Sequence, residues 1–208
     1  MTTLDVGLGE IDKAIKVLAA PAHARRAAPA TPAGEFVLDE RDARESARLM
    51  RVNHAGEVAA QALYQGQALT ARGPAVAESM RHAAAEEMDH LAWCEARIHE
   101  LNGRTSLLNP LWYAGSFAIG ALAGVLGDRS SLGFIAETEK QVEAHLRGHL
   151  DRLPAADQRS RAIIDQMTHD EAAHGANAAS LGASPPPLAV RAVMRLASRI
   201  MTRSSYWL

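Results

Sequence analysis

Glu87-Met88-Asp89-His90 and, 84 residues further on, Glu171-Ala172-Ala173-His174 are the two stretches on which the fold turns. Residues at i and i+3 share one face of an α-helix, so each tetrapeptide offers a carboxylate and an imidazole in the same direction. A single Glu-x-x-His is ordinary helix surface, and Glu87 or Glu171 taken alone reads as a salt-bridged or solvated acid. Each motif is, however, preceded by a glutamate at a matching distance. Glu57 lies 30 residues before Glu87, and Glu139 lies 32 before Glu171. The chain is a pseudo-repeat of helix pairs, each reading Glu…Glu-x-x-His. The same stripes carry Met80, Leu91, Ile135, Val142 and Met167, and unpaired acids facing a core are costly unless a metal neutralises them.

The flanking sequence favours helix. Alanine occupies 42 of the 208 positions and aromatics only 4%, and alanine is the best helix former whereas aromatic residues favour strands. Four long helices are expected over about 38–72, 75–101, 132–153 and 155–181. Gly73-Pro74, Asn102-Gly103, Pro154 and Gly182 supply the stops. One Glu from each of two helices and a Glu-x-x-His from each of the others is the pattern of ferritin-like dinuclear carboxylate proteins. The expected fold is therefore all-α, a ferritin-like four-helix bundle. Four carboxylates balance two divalent ions, and two imidazoles add one nitrogen to each, a donor set suited to iron or manganese rather than calcium or zinc.

Three segments lie outside the four helices. Residues 1–35 read as a short amphipathic helix (Leu8, Ile11, Ile15 and Leu18 at helical spacing) followed by a Pro- and Ala-rich linker from Pro21 to Gly34. Residues 36–208 form the bundle domain, and within it Thr105 to Gly127 is 23 residues without a charge. That length reads either as a bilayer span or as a crossover retracing one helix length, since 20 helical residues cover about 30 Å. A span would put the two halves of one metal site on opposite sides of a membrane, which favours a crossover dipping into lipid. The last helix, 188–203, sets Arg191, Arg195, Arg199 and Arg203 at i, i+4 against Val193, Leu196, Ala197 and Ile200. It reads as a membrane-surface or partner-docking element, or as a solvated arginine face packed on the bundle.

Composition also excludes. A net charge of −2 argues against a general nucleic-acid binder. The lone Cys94 rules out an intramolecular disulfide framework and reads as a small core residue. The N-terminal residues lack the pattern of a secretory signal, and no GxGxxG or P-loop pattern occurs. Among the nine histidines, His54 stands three before Glu57 and could hydrogen-bond a ligand or simply pair with an acid. His145, six after Glu139, could do the same or make an ordinary polar contact. Tyr64 could line the site, with core packing as the default reading.

Arg51-Val52-Asn53-His54-Ala55-Gly56-Glu57, followed by Glu87-x-x-His90, Glu139 and Glu171-x-x-His174, is similar to the demethoxyubiquinone hydroxylases of ubiquinone biosynthesis. The likeness covers about Arg48 to Leu208. It implies that Glu57, Glu87, His90, Glu139, Glu171 and His174 are iron ligands, with Glu87 and Glu171 bridging two iron ions per chain. It further implies hydroxylation of the ring of a polyprenyl-methyl-methoxy-benzoquinol by dioxygen, with electrons from an external reductant such as NADH or a partner reductase. The expected place is the cytoplasmic side of the cell membrane, held peripherally. Second copies of the chain or other ubiquinone-biosynthesis proteins are the expected partners. Some relatives carry a tyrosine directly after the histidine matching His145, where this chain has Leu146, a departure that bears on any electron route through that tyrosine. The alternatives are a ferritin-like ferroxidase or iron-binding protein, a dimanganese catalase, and a non-catalytic helical docking module.

Overall fold

The computed structural model describes residues 3–31 and 37–208, which hold seven helices and no strand. They are α1 (Thr3–Leu18), α2 (Glu40–Thr70), α3 (Pro74–Glu100), α4 (Asn109–Val125), α5 (Asp128–Arg152), α6 (Gln158–Ser180) and α7 (Leu188–Trp207). The end of the expected linker, 32–34, and the 35/36 boundary lie outside the described residues.

The helix limits follow local chemistry. Asp39 caps α2 by accepting from Asp42 N–H at 2.8 Å, and Pro74 opens α3, where a missing N–H costs nothing. Asn102 ends the α3 region with a φ of 54°. Two expected starts are displaced. The third long helix begins at Asp128 rather than near Leu132, directly after Gly127, whose φ of 111° turns the chain. The fourth begins at Gln158 rather than Ala155, because the Asp157 side chain accepts from Ser160 N–H at 3.0 Å and so occupies the cap position.

The hairpins α2–α3 and α5–α6 form the bundle, and α3 also meets α6 while α2 meets α5. The uncharged segment is the crossover. Its helix α4 packs along α2 more extensively than any other helix pair does. Small residues permit that approach: a Cβ on Gly120 would run into the Leu63 carbonyl, and one on Gly66 into the backbone at Phe117 and Ala121. Asp128 ties the α2–α3 turn to the start of α5, accepting from Arg72 N–H at 2.9 Å and Gly73 N–H at 2.7 Å. Among the described residues, no helix is long and apolar enough to cross a membrane, which removes the bilayer-span reading of 105–127.

Two apolar layers divide the bundle. One contains Leu49, Met50, Cys94, Ile98, Leu146, Ile164 and Met167, the other Tyr64, Met80, Leu132, Ile135 and Ala178. On each of the four core helices the motif glutamate falls between a residue of the first layer and one of the second. The acids therefore meet at mid-bundle, between the two layers.

The outer helices leave apolar surface uncovered. Leu8, Ile11 and Ile15 on α1 are exposed, as are Leu111, Ile119 and Leu122 on α4 and Val193, Leu196 and Ile200 on α7. The apolar stripe of α7 thus faces away from the bundle, contrary to the reading in which that stripe packs inward. α4 adjoins both neighbours. Tyr113 and Phe117 pack with Ala14 and Val17 of α1, while Trp112 Nε1 donates to Ser205 Oγ on α7 at 3.0 Å.

Candidate metal centre

All six motif residues converge and all are buried. Glu57, Glu87, His90 and Glu171 form one group of four donors, and Glu87, Glu139, Glu171 and His174 form a second. Within each group one ligand atom per residue lies within 4.8 Å of the others. Glu87 and Glu171 belong to both groups, so the geometry gives two adjacent metal-sized positions with two shared carboxylates.

Both imidazoles point the same nitrogen inward. His90 Nδ1 stands 3.2 Å from Glu87 Oε2 and 3.6 Å from both Glu57 Oε2 and Glu171 Oε1. His174 Nδ1 stands 3.3 Å from Glu87 Oε1 and 3.4 Å from Glu171 Oε2. Their outer nitrogens donate to carboxylates across the bundle: His90 Nε2 to Asp170 Oδ2 at 2.9 Å, and His174 Nε2 to Glu86 Oε2 at 2.8 Å. Such partners fix the ring and its tautomer and raise its basicity as a ligand. Glu57 Oε2 and Glu87 Oε1 are buried without a hydrogen bond of full geometry. Buried carboxyl oxygens left over in this way fit a cation. The residues present therefore fit a dinuclear metal centre.

Without metal, protons balance the cluster. Burial, reinforced by the charges of Glu87 and Glu171, pushes the Glu57 carboxyl well up; burial and the same two charges raise Glu139. Burial also disfavours ionised Glu87 and Glu171, but hydrogen bonds from neighbouring carboxyls and from both histidines outweigh it and hold them low. Burial alone would lower both imidazoles; their carboxylate partners win instead, raising His90 well above its usual value and His174 to about 12.

The Arg51–Glu57 box becomes legible as four ties. Arg51 Nε donates to the Arg104 carbonyl at 2.7 Å, fixing the loop before α4. Asn53 Oδ1 accepts from His149 Nδ1 on α5 at 2.7 Å. His54 meets Asn109 of α4 at 3.3 Å, and Glu57 reaches the cluster. His54 and His145 therefore do not join the ligands: neither hydrogen-bonds any of the six. His145 instead packs against His149, ring centroids 3.9 Å apart. Burial keeps both neutral, with the His145 imidazole pushed down to about 4 and His149 to about 2.

Beside Tyr64, for which both a core and a site reading stood open, three residues enter the site that the sequence does not place there. Tyr64 is core as expected, yet its hydroxyl donates to Glu139 Oε1 and its ring meets His174 edge-on. Glu86 and Asp170 each directly precede a shared glutamate, so extending both motifs by one residue to acid-Glu-x-x-His would have found them. Arg26 reaches Asp170 from the linker, and no spacing announces it. A cavity of about 370 Å³, lined by Tyr64, Met80, His82, Ala83, Glu86, Ile135 and His174 among others, opens beside the second group. Cys94 is buried against Met167, and burial raises its thiol far above the reactive range.

A helical bundle that joins two carboxylate–imidazole groups through two shared glutamates defines the class of ferritin-like dinuclear metalloproteins. The model of one family within that architecture, ubiquinone biosynthesis protein COQ7, matches residues 44–205. Curated relatives align along the whole chain. A 3-demethoxyubiquinol 3-hydroxylase of Nitrosospira multiformis is 56% identical over 207 residues, covering 100% of both chains. One of Bordetella parapertussis is 56% identical over 99% of this chain and 93% of its own, and one of Ralstonia pickettii 55% over 98% and 99%. The chain belongs to the COQ7 family of ubiquinone biosynthesis proteins. The alignments reach through the N-terminal residues as well, beyond the limit near Arg48 expected from motifs alone.

Proposed function

We propose that the chain is a di-iron monooxygenase that hydroxylates the ring of a demethoxyubiquinol, a polyprenyl-methyl-methoxy-1,4-benzoquinol, with dioxygen and an external reductant such as NADH. The observation that carries this reading is the pair of four-donor groups sharing Glu87 and Glu171, taken with the full-length likeness to hydroxylases of that name. Glu57 and His90 complete one metal position, Glu139 and His174 the other. When bound, a redox-active iron pair supplies the activation of dioxygen that a ring hydroxylation requires.

The chain's own residues do the rest. Four carboxylates neutralise a divalent pair, so the charge is balanced inside a low-dielectric core. Tyr64 holds Glu139 through its hydroxyl, and Glu86 and Asp170 hold the imidazoles. The apolar layers above and below limit water along the bundle axis, and a quinol seated in the cavity would close the remaining side, which protects a strong oxidant from side reactions. The cavity beside His174 is of the size of small-molecule sites, with Tyr64, Met80 and Ile135 as an apolar wall for a quinol ring.

A polyprenyl substrate lives in lipid, so its enzyme must meet the bilayer. The uncovered apolar residues of α1, α4 and α7, with the exposed Arg195, Arg199 and Arg203, support peripheral attachment to an anionic membrane surface, on the cytoplasmic side. The same surface counts against a storage shell, whose exterior is polar. The test is metal content together with complementation. Glu87→Ala and His174→Ala should lose iron and fail to restore ubiquinone in a hydroxylase-deficient strain; full iron and full rescue would overturn the reading.

A further inference from the structure

The linker that follows α1 lies across the bundle instead of leaving it. Ala22 N–H donates to Glu95 Oε2 at 2.9 Å, Arg25 N–H to Asp89 Oδ1 at 2.5 Å, and Trp93 Nε1 donates to the Arg26 carbonyl at 3.2 Å. Three residues of α3 thus fasten a strap whose central side chain is Arg26. Its guanidinium lies over the Trp93 ring, 5.0 Å from the centroid. Arg26 Nε donates to Asp89 Oδ2 and Nη2 to Asp170 Oδ2, both at 2.8 Å. Asp170 Oδ2 is the same oxygen that accepts from His90 Nε2, and Gln166 Nε2 holds the other oxygen at 2.9 Å.

The opposite end of the cluster has no such closure. Glu86, the partner of His174, is 31% exposed at its side chain, whereas Asp170 is 16% exposed. Among the described residues, the ion-pair partners of Glu86 are His174 and, at 3.8 Å, His82, and the cavity opens beside it. The two halves of a pseudo-symmetric centre therefore differ: one is strapped and the other is open.

We propose that Arg26 is a positioning residue for His90, acting through Asp170, and that the strap makes the two metal positions inequivalent in exchange. The position completed by Glu57 and His90 holds its ion slowly exchanging, because Asp170 is fixed by three donors and covered. The position completed by Glu139 and His174 exchanges rapidly through the open side. The inference rests on the metal-centre reading above, and it assigns the N-terminal segment a role that the ligand set does not.

The experiment loads the full-length protein with Co²⁺ under anaerobic conditions, challenges it with excess chelator and follows release by the cobalt absorption bands. The wild type should release two ions in two phases, one slow. Arg26→Gln should speed the slow phase about tenfold, the lower end of what partners of metal-ligating histidines contribute, and leave the fast phase unchanged. Arg26→Lys, which keeps the charge and loses the fork, should fall between. Ala22→Pro, which removes one strap hydrogen bond far from the cluster, should shift the slow phase in the same direction by less. Loss of fold would speed both phases together, so equal acceleration of both would overturn the proposal. Two ions leaving in one phase from the wild type, or a slow phase indifferent to Arg26→Gln, would overturn it while leaving the metal centre intact. A wild type that binds no cobalt would overturn both readings.

Discussion

His174 Nε2 on α6 donates to Glu86 Oε2 on α3 at 2.8 Å, and His90 Nε2 on α3 donates to Asp170 Oδ2 on α6 at 2.9 Å. Each imidazole is thus braced by the acid that precedes the shared glutamate of the opposite helix. The braces close a reciprocal ring between α3 and α6, helices that otherwise touch sparingly.

Removing a brace should weaken metal binding without removing a ligand. Glu86→Gln and Asp170→Asn are each expected to lower affinity about tenfold to a hundredfold. Competition with a chelator of known affinity, run on both variants at one pH, checks this. Unchanged affinities would mean that packing alone orients the rings.

The α2–α4 contact should be intolerant of added volume. At Gly120 the obstructing atoms are backbone atoms of Leu63, which cannot swing aside. Gly120→Ala should cost about 1–3 kcal/mol as overpacking, lowering the thermal midpoint by roughly 2–4 °C per kcal/mol in a chain of this size. Gly148→Ala is the contrast, because nothing lies within 4 Å of its added Cβ. It should stabilise by about 0.5–1 kcal/mol through helix propensity.

Acid should destabilise the metal-free protein in two windows. His149 titrates near 2 when folded and near 6.5 when unfolded, so the unfolded chain takes the proton first. Stability falls as pH drops below about 6.5. Asp157 contributes lower down. Burial would raise its carboxyl, but the hydrogen bonds from Ser160 and the charge of Arg97, 2.7 Å away, hold it below the usual range. That stabilisation is complete above about pH 3.9 and is lost as pH falls through the folded value. Urea midpoints against pH should be flatter between 6.5 and 4 for His149→Gln, and flatter below 4 for Asp157→Asn.

Lipid attachment should depend on charge and on apolar area separately. Arg195→Glu with Arg199→Glu should lower binding to vesicles containing anionic lipid, each lost arginine being worth about 1 kcal/mol near the surface. Leu111→Asp with Leu122→Asp should lower binding to neutral and anionic vesicles alike. Co-sedimentation at two salt concentrations separates the arms, and wild-type levels for both variants would exclude these helices.

Much of this architecture could be read from residue spacing. Convergence of Glu57, Glu87, His90, Glu139, Glu171 and His174 follows from i, i+3 geometry and a repeated helix pair, both local rules. The helix starts at Asp128 and Gln158 were displaced because caps are set by single side chains and one glycine torsion, finer than any hydrophobic period. Of the two readings open for His54 and for His145, the hydrogen bond to a ligand is not formed: three- and six-residue offsets give a direction on one helix, not the contact made there. Asn109 comes from another helix and takes the His54 imidazole, whereas His145 packs against His149, one turn further along its own helix. Arg26 was illegible altogether, because its partners Asp89 and Asp170 are 63 and 144 residues away and the linker around it has no period.

The crossover α4 has a consequence beyond its length. Each hairpin carries half of the donor set, one Glu and one acid-Glu-x-x-His, so two separate hairpins would have to find each other at the cost of bulk dilution. Tethering them in one chain turns that encounter into a local one, at an effective concentration on the order of millimolar. Assembly of the centre is thereby a first-order event, and loading with metal should be indifferent to how scarce the protein is in the cell.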